Sequence, residues 1–190
     1  LEKMGGDARL TDDPGLVASA DGVVLPGVGA FGACMQSLRS VGLEQPTLDA
    51  VVSGRPFLGI CVGMQMLFDG SEEDATAAGL GVIPGTVRWI PPGPKIPQMH
   101  WNRLHIERPD DPVLADLGDD PWVYFVHSLH GVPADPDVVA ATCDYGARLN
   151  AAFRLGNVFA TQFHPEKSGP TGLRLLANFV HVCAEQRVSP

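Results

Sequence analysis

Hydrophobic residues along this chain fall into short runs separated by polar segments, and the spacing within the runs changes between regions. Runs typical of buried strands cover 21–26, 57–60, 82–90, 99–106, 122–126, 138–143, 149–153 and 158–162. Helical spacing covers 31–38, 48–52 and 172–185, and also the residues after 60, where Met64, Leu67 and Phe68 would share one face. This alternation predicts an α/β protein built on an open, mostly parallel, doubly wound sheet.

Two further segments carry weaker signals. Residues 1–6 are typical of a helix end with glycine just past it, and residues 8–10 of a short strand. A helix end with no start predicts that an opening strand and most of a first helix are missing from a domain that otherwise spans 1–190. The polar, acidic segment 71–79 predicts a surface loop.

Cys61 is the first candidate for chemistry, because it follows the apolar run 57–60 where the pattern changes to helical. Gly59 and Gly63 flank it two residues away on each side, as in the nucleophile elbow of serine hydrolases, with cysteine replacing serine. Glycines permit the sharp turn, and the N–H groups that follow it would stabilise negative charge on the sulfur or a developing oxyanion. A small cysteine in the core is the alternative interpretation.

A second stretch near the C-terminus supplies partners for that sulfur. Pro165 disfavours helical backbone at His164, so an extended segment is expected, with the side chains of His164 and Glu166 on the same side. A cysteine on an elbow, a histidine base and a carboxylate that orients it form a nucleophile, base and orienter set. His127, at the end of the run 122–126, is a rival base, but the carboxylate of Glu166 favours His164.

Another strand end, at residues 25–29, carries two glycines. Gly27 and Gly29 allow close backbone approach, which suits an oxyanion-binding loop. A phosphate-binding loop would need more glycines and a Lys-Ser/Thr ending. Farther along, Met99 and Trp101 stand beside several prolines, which favours a contact surface over a core position; a buried Trp101 is the alternative.

Composition narrows the function classes. The chain has 190 residues, 45% of them hydrophobic, which suits one domain. Its formal net charge of −9 argues against nucleic acid or an anionic membrane as partner. The four cysteines lack the Cys-x-x-Cys spacing of metal sites and do not suggest a disulfide scaffold, so we expect no metal and a reducing, cytoplasmic environment.

These motifs together resemble the class I (triad) glutamine amidotransferases, in particular the glutaminase subunits of imidazole glycerol phosphate synthase. The resemblance rests on Gly-Ile-Cys-Val-Gly-Met-Gln at 59–65, Gln-Phe-His-Pro-Glu-Lys-Ser at 162–168, Leu-Pro-Gly-Val-Gly-Ala-Phe at 25–31 and Tyr-Phe-Val-His-Ser at 124–128. It covers nearly the whole chain and implies a flavodoxin-like fold. It also implies glutamine hydrolysis without a cofactor, and ammonia transfer to a synthase (cyclase) subunit in a heterodimer of histidine biosynthesis.

The resemblance also implies roles for individual residues. The catalytic residues would be Cys61, His164 and Glu166; the oxyanion hole Gly27, Val28 and Val62; the substrate contacts Gln65, Ser128 and Leu129; and the partner interface Pro97, Met99 and Trp101. The chain departs from the family pattern at Gln98, His100 and Leu129, where histidine, glycine and tyrosine are usual.

Three alternatives stay open from the sequence. One is another triad amidotransferase branch, such as that serving pyridoxal phosphate synthesis, although its Gly-Gly-Glu-Ser motif is not found here. Another is a cysteine hydrolase that acts alone on a different amide. The last is an inactive scaffold subunit that retains only its binding surface.

Overall fold

Strands occupy most of the predicted apolar runs. The structure is a computed structural model that describes residues 1–188. The strands are β1 (Val23–Gly27), β2 (Phe57–Cys61), β3 (Phe68–Ser71), β4 (Asp74–Ala78), β5 (Ile83–Trp89), β6 (Gln98–Arg103), β7 (His105–Ile106), β8 (Trp122–His127), β9 (Leu129–Pro133), β10 (Val139–Asp144), β11 (Arg148–Leu155) and β12 (Val158–Thr161). The α-helices are α1 (Pro14–Ser19), α2 (Phe31–Ser40), α3 (Glu44–Val52), α4 (Val62–Gln65) and α5 (Gly169–Val188).

The main sheet contains six strands in the order β1-β2-β12-β11-β10-β7. Strands β1, β2 and β12 pair in parallel, and antiparallel pairs extend the sheet from β12 to β7. The α/β prediction is confirmed. Because β1, β2 and β12 are parallel, their carboxyl ends lie along one edge, where binding sites of open α/β sheets form.

Both faces of this sheet are covered. Phe57 and Leu58 are adjacent on β2 and fully buried, yet they belong to two different hydrophobic clusters, one on each side of the sheet. Successive strand residues point to opposite faces, so a strand covered on both sides is apolar at every position. The continuous run at 57–60 reflects that environment.

The other strands form two smaller sheets. One has the order β4-β3-β5-β9, and the second is the antiparallel pair β6-β8. On β6 the exposed positions Met99, Trp101 and Arg103 alternate with buried or half-buried ones, because one face of this pair packs inward and the other is exposed. The exposed face of this pair carries Met99 and Trp101, for which the sequence predicts a contact surface.

Some predicted elements were wrong. The helix after Cys61 ends at Gln65, because the carbonyl of Leu67 accepts from the N–H groups of Val82 and Ile83, and Phe68 begins β3. Segment 71–79 contains β4, which pairs with β3, so most of the predicted loop is a strand. The run 99–106 is divided between β6 and β7.

The N-terminal segment agrees with expectation only in part. The predicted helix end with glycine just past it is confirmed, because Glu2–Met4 form a 3-10 helix and Gly5 follows with φ 87°. Residues 8–10 form no strand. The helix α1 was not predicted, although Asp13 caps it by accepting from the N–H of Gly15 and Pro14 occupies its first position. Strand β9 was also missed.

Candidate active site

A strained turn holds Cys61 at the carboxyl end of β2. Its backbone has φ 55° and ψ −115°, a left-handed region that residues other than glycine rarely adopt. A Cβ on Gly63 would overlap the carbonyl oxygen of Leu25 on β1. Cys61 therefore lies on the predicted strand-to-helix turn, which only glycine at position 63 permits.

The same turn brings the predicted oxyanion residues together. A Cβ on Gly27 would lie 2.6 Å from the N atom of Gly63 and 2.9 Å from the carbonyl carbon of Val62, so these backbones are in close contact. The Val28 side chain is 75% exposed, and its carbonyl accepts from the thiol of Cys34 at 3.3 Å. This loop thus borders the Cys61 turn and is open to solvent.

The helix that follows this loop is anchored by a residue the sequence did not indicate. Glu73, in the turn between β3 and β4, accepts from the backbone N–H of Phe31 at 2.6 Å. Phe31 is the first residue of α2, so the carboxylate satisfies one of the unpaired amides at the helix start. The β3-β4 hairpin therefore holds the end of the Gly27–Gly29 loop.

His164 and Glu166 form a hydrogen-bonded pair. Nδ1 of His164 lies 2.8 Å from Oε1 of Glu166, with the imidazole almost fully buried and the carboxylate 48% exposed. His164 is extended as predicted, but Glu166 lies in the 3-10 helix Pro165–Lys167, so the expected extended segment is wrong there. The 3-10 turn brings the Glu166 carboxylate back to the imidazole ring. The predicted His164–Glu166 contact therefore forms, but from a turn and not from an extended segment.

Backbone contacts clamp His164 against β8. Its N–H donates to the carbonyl of Tyr124 at 3.0 Å, and its carbonyl accepts from the hydroxyl of Ser168 at 2.6 Å. The same Ser168 oxygen accepts from the N–H of Tyr124 at 2.9 Å, and Ser168 is fully buried. Ser168 was not among the predicted site residues, because its role depends on a strand 44 residues away.

Charge around His164 favours its protonated form. The Cys61 side chain, and then the hydrogen bond to Glu166, raise the pKa of His164 to about 9, against the opposing effect of burial. Nε2 of His164 is buried without a hydrogen-bond partner, which leaves it free to exchange a proton with the sulfur or a leaving group. Burial is the largest single effect on Glu166 and opposes its ionisation. The hydrogen bond to His164, a backbone hydrogen bond and the charges of His164 and Lys167 together outweigh burial and lower the pKa of that carboxyl.

Further polar side chains lie near the sulfur. Nε2 of Gln65 donates to Oε1 of Gln162 at 3.1 Å and makes a longer contact, 3.5 Å, with the carbonyl of Leu129. Nε2 of Gln162 lies 3.8 Å from Sγ of Cys61. The structure thus brings Gln65 and Leu129 together. Gln162, which was not among the predicted site residues, contacts Gln65 and the sulfur. The Ser128 carbonyl instead accepts from the N–H of Ile90.

Comparison with known proteins identifies the family. The sequence profile of the family described as "Glutamine amidotransferase class-I" matches residues 9–183. The chain belongs to this family. This amidotransferase is 50% identical over 189 residues to a protein of Synechococcus sp. (strain JA-3-3Ab) named imidazole glycerol phosphate synthase subunit HisH, covering 98% of this chain and 87% of that protein.

Two further comparisons extend this result. A protein of the same name from Syntrophotalea carbinolica is 52% identical over 186 residues, covering 94% of this chain and 90% of that protein. A crystal structure described as a glutamine amidotransferase superposes with a TM-score of 0.75 at 22% identity, covering 97% of this chain and 90% of that one. The fold of this amidotransferase is therefore that of its family.

The rival base, His127, has surroundings that do not suit proton transfer. It is buried, and burial lowers its pKa to about 4. Its ring contacts the carbonyl of Leu129 and the amide of Gln98, where His164 has a carboxylate. These surroundings favour His164 over His127 as the base.

The predicted interface residues lie on the exposed face of the β6-β8 pair or beside it. Met99 is 60% and Trp101 45% exposed, Pro97 is exposed, and the Trp101 ring packs edge-on against Tyr124. Trp101 is therefore at the surface, which excludes the buried alternative. Trp122 adds a third large apolar side chain on the same face.

Two cavities flank the sheet. One of about 280 Å³ lies beside the catalytic candidates and is lined by Leu1, Val24, Pro26, Gly27, Val28, Ile60, His164, Glu166 and Leu176. A larger one of about 410 Å³ lies between α3 and the β11-β12 turn, away from Cys61. Among residues 1–188 no group of three or more His, Cys, Asp or Glu side chains is placed to hold a metal ion, and no helix there could cross a membrane.

Proposed function

We propose that this chain is the glutaminase subunit of an imidazole glycerol phosphate synthase. It hydrolyses glutamine to glutamate and passes the ammonia to a synthase (cyclase) subunit that makes imidazole glycerol phosphate and AICAR in histidine biosynthesis. The observation that carries the proposal is the His164–Glu166 hydrogen bond beside the strained Cys61 turn. The relatives of that name, 50% and 52% identical over nearly the whole chain, support it.

In the first half of the reaction Cys61 is the nucleophile. As thiolate it attacks the side-chain amide carbon of glutamine, and a C–S bond forms while the carbonyl oxygen becomes an oxyanion. The protonated His164 donates from Nε2 to the amide nitrogen, the C–N bond breaks, and ammonia leaves a glutamyl thioester. Glu166 orients the imidazole through Nδ1 and stabilises its positive charge.

Water completes the second half. His164, now neutral, takes a proton from water as the oxygen attacks the thioester carbonyl, and the C–S bond breaks to release glutamate. Backbone N–H groups of Val28 and Val62, next to Gly27, would hold the oxyanion in both halves. Gln65, Ser128 and Leu129 would contact the bound glutamine. No step needs a cofactor.

The partner would cover the exposed apolar face of the β6-β8 pair. Pro97, Met99 and Trp101 would form the contact, because large apolar side chains exposed together are typical of protein interfaces. The acidic chain is poorly suited to bind a phosphorylated nucleotide, so that substrate would sit on the partner subunit. The two subunits would form a heterodimer in the cytoplasm. Ammonia would pass from the glutamine site to the nucleotide site shielded from water.

The direct test measures glutamate release from glutamine by the purified chain, first alone and then with the synthase subunit and its nucleotide ligand. We expect a low rate alone and a large rise in the complex. Full activity alone would favour an independent hydrolase. No activity in either case, from a folded chain, would favour a scaffold subunit and contradict the proposal.

A further inference from the structure

Two buried polar side chains face each other on neighbouring strands, on the inner side of the β6-β8 pair. Gln98 is fully buried and His127 is 6% exposed, and they are register partners. The Gln98 amide lies 2.9 Å from Nε2 of His127, and Nδ1 of His127 lies 2.7 Å from the carbonyl oxygen of Leu129. The reaction described above assigns no role to Gln98.

The donors and acceptors around His127 determine its tautomer. A carbonyl oxygen only accepts, so Nδ1 must carry the hydrogen that it donates in the bond to the Leu129 carbonyl. Because burial lowers the pKa of His127 to about 4, the ring is neutral at pH 7. Nε2 is then a bare acceptor, and the amide placed against it, that of Gln98, must supply an N–H.

The orientation of the Gln98 amide follows from the same matching of donors with acceptors. With Oε1 towards His127, its Nε2 is buried without a partner. A 180° rotation of the amide, which leaves the packing unchanged, lets Nε2–H donate to His127 and turns Oε1 towards the thiol of Cys143. Burial raises the pKa of Cys143 to about 12, so this thiol keeps its proton and can donate.

The Leu129 carbonyl connects this pair to the nucleophile. It accepts from Nδ1 of His127 and lies 3.5 Å from Nε2 of Gln65. Gln65 donates to Gln162, whose amide nitrogen lies 3.8 Å from Sγ of Cys61. A continuous series of polar contacts therefore runs from β6 to the sulfur.

We propose that Gln98 is a positioning residue for the glutamine site: by donating to Nε2 of His127 it holds the Nδ1–H tautomer, whose bond to the Leu129 carbonyl orients Gln65. This inference rests on the proposed function, because Gln65 matters only if glutamine binds beside Cys61. Gln98 lies on the same strand as Met99 and Trp101, directly behind the proposed partner surface.

The first test determines the tautomer of His127 by nitrogen NMR on the folded, histidine-labelled chain at pH 7. We expect a protonated Nδ1 and a bare Nε2 in the wild type. Gln98→Glu keeps the size and, as the carboxylate, offers only acceptors, so it should place a proton on Nε2. Gln98→Met removes both polar atoms. Val123→Ala, a fully buried apolar change on β8, is the matched packing control and should leave the tautomer unchanged.

The second test measures steady-state kinetics in the complex with the synthase subunit and nucleotide. Loss of one oriented hydrogen bond is typically worth about 1 kcal/mol, so Gln98→Met should raise the KM for glutamine about fivefold and change kcat less. Val123→Ala should change neither. An Nε2–H or doubly protonated His127 in the wild type, or an unchanged KM in Gln98→Met, would overturn the inference.

The two tests separate this inference from the proposed function. The tautomer is measured without turnover, so it is decided even if the wild-type complex fails to hydrolyse glutamine, a result that contradicts the proposed function. Normal hydrolysis by a wild type with the wrong His127 tautomer contradicts only the role of Gln98.

Discussion

Nδ1 of His164 and Oε1 of Glu166 lie 2.8 Å apart, although the imidazole is almost fully buried and the carboxylate side chain is half exposed. Water competes for the exposed carboxylate, so its orientation depends on the 3-10 turn that carries it and on the Ser168 clamp. The pair joins a buried proton-transfer group to a charge at the surface. That arrangement makes the pH dependence of the reaction sensitive to Glu166.

Glu166→Gln should lower kcat/KM about 10²- to 10⁴-fold and move the alkaline limb of the pH profile to lower pH. Glu166 helps raise the pKa of His164 to about 9, and the imidazolium that protonates the leaving ammonia is lost as pH rises through that value. Without the carboxylate, this loss occurs at lower pH. A pH series of glutamate release in the complex measures it.

The control is Glu107→Gln, which removes a carboxylate paired with Arg148 and Thr142. Glu107 follows β7, the edge strand of the main sheet farthest from β1. Its pH profile should match the wild type. An alkaline limb that stays in place in Glu166→Gln would show that this carboxylate does not set the protonation of His164.

Cys61→Ala should reduce glutamine hydrolysis about 10⁴-fold or more while the affinity for the synthase subunit stays the same. In the proposed mechanism the sulfur forms the thioester, whereas the proposed contact surface lies on β6. Glutamate release and titration calorimetry with the partner measure the two effects. Cys183→Ala, on α5, is the matched control and should keep full activity; retained hydrolysis in Cys61→Ala would remove this residue from the mechanism.

Gly63→Ala should lower the free energy of unfolding by about 2–4 kcal/mol, because the added methyl would overlap the Leu25 carbonyl. The substitution should also abolish hydrolysis, because β1 and the Cys61 turn would have to move apart to make room for the methyl group. Urea unfolding followed by circular dichroism measures the stability.

The matched glycine for that change is Gly70 on β3, where an added Cβ would lie 3.7 Å from the carbonyl oxygen of Ala77, an ordinary van der Waals contact. Gly70→Ala should change stability by about 0.5 kcal/mol or less. Equal stability of the two variants would contradict the close contact between Gly63 and β1.

Trp101→Ala should weaken binding to the synthase subunit by about 1–3 kcal/mol, roughly 5- to 150-fold in Kd. Exposed tryptophans at the centre of an interface are typical binding hot spots, and Trp101 lies between Met99 and Arg103 on the exposed face of β6. Glutamate release by the free chain should not change. Val52→Ala, an exposed apolar change on α3, should leave Kd unaltered, and an unaltered Kd in Trp101→Ala would exclude this face from the contact.

Much of the site could be predicted because its signals are local. The glycines around Cys61 and the His-Pro-Glu segment lie within a few residues of the groups they serve, so the turn and the His164–Glu166 contact were found. The helix after Cys61 was predicted too long, because Leu67 and Phe68 have helical spacing. Instead the Leu67 carbonyl accepts from Val82 and Ile83, and Phe68 pairs with Ile83 on β5. Tertiary pairing outweighed the local pattern there.

The sequence by itself determined the α/β alternation, the strained nucleophile turn and the histidine and carboxylate beside it, because each depends on neighbours along the chain. Only the tertiary structure decided that Ser168 clamps His164 to β8, that Glu73 caps α2, and that Gln162 lies against the sulfur. It alone turned Gln98 inward to His127. These contacts join residues far apart in sequence, so they exist only when the packing of several strands brings the partners to the same place.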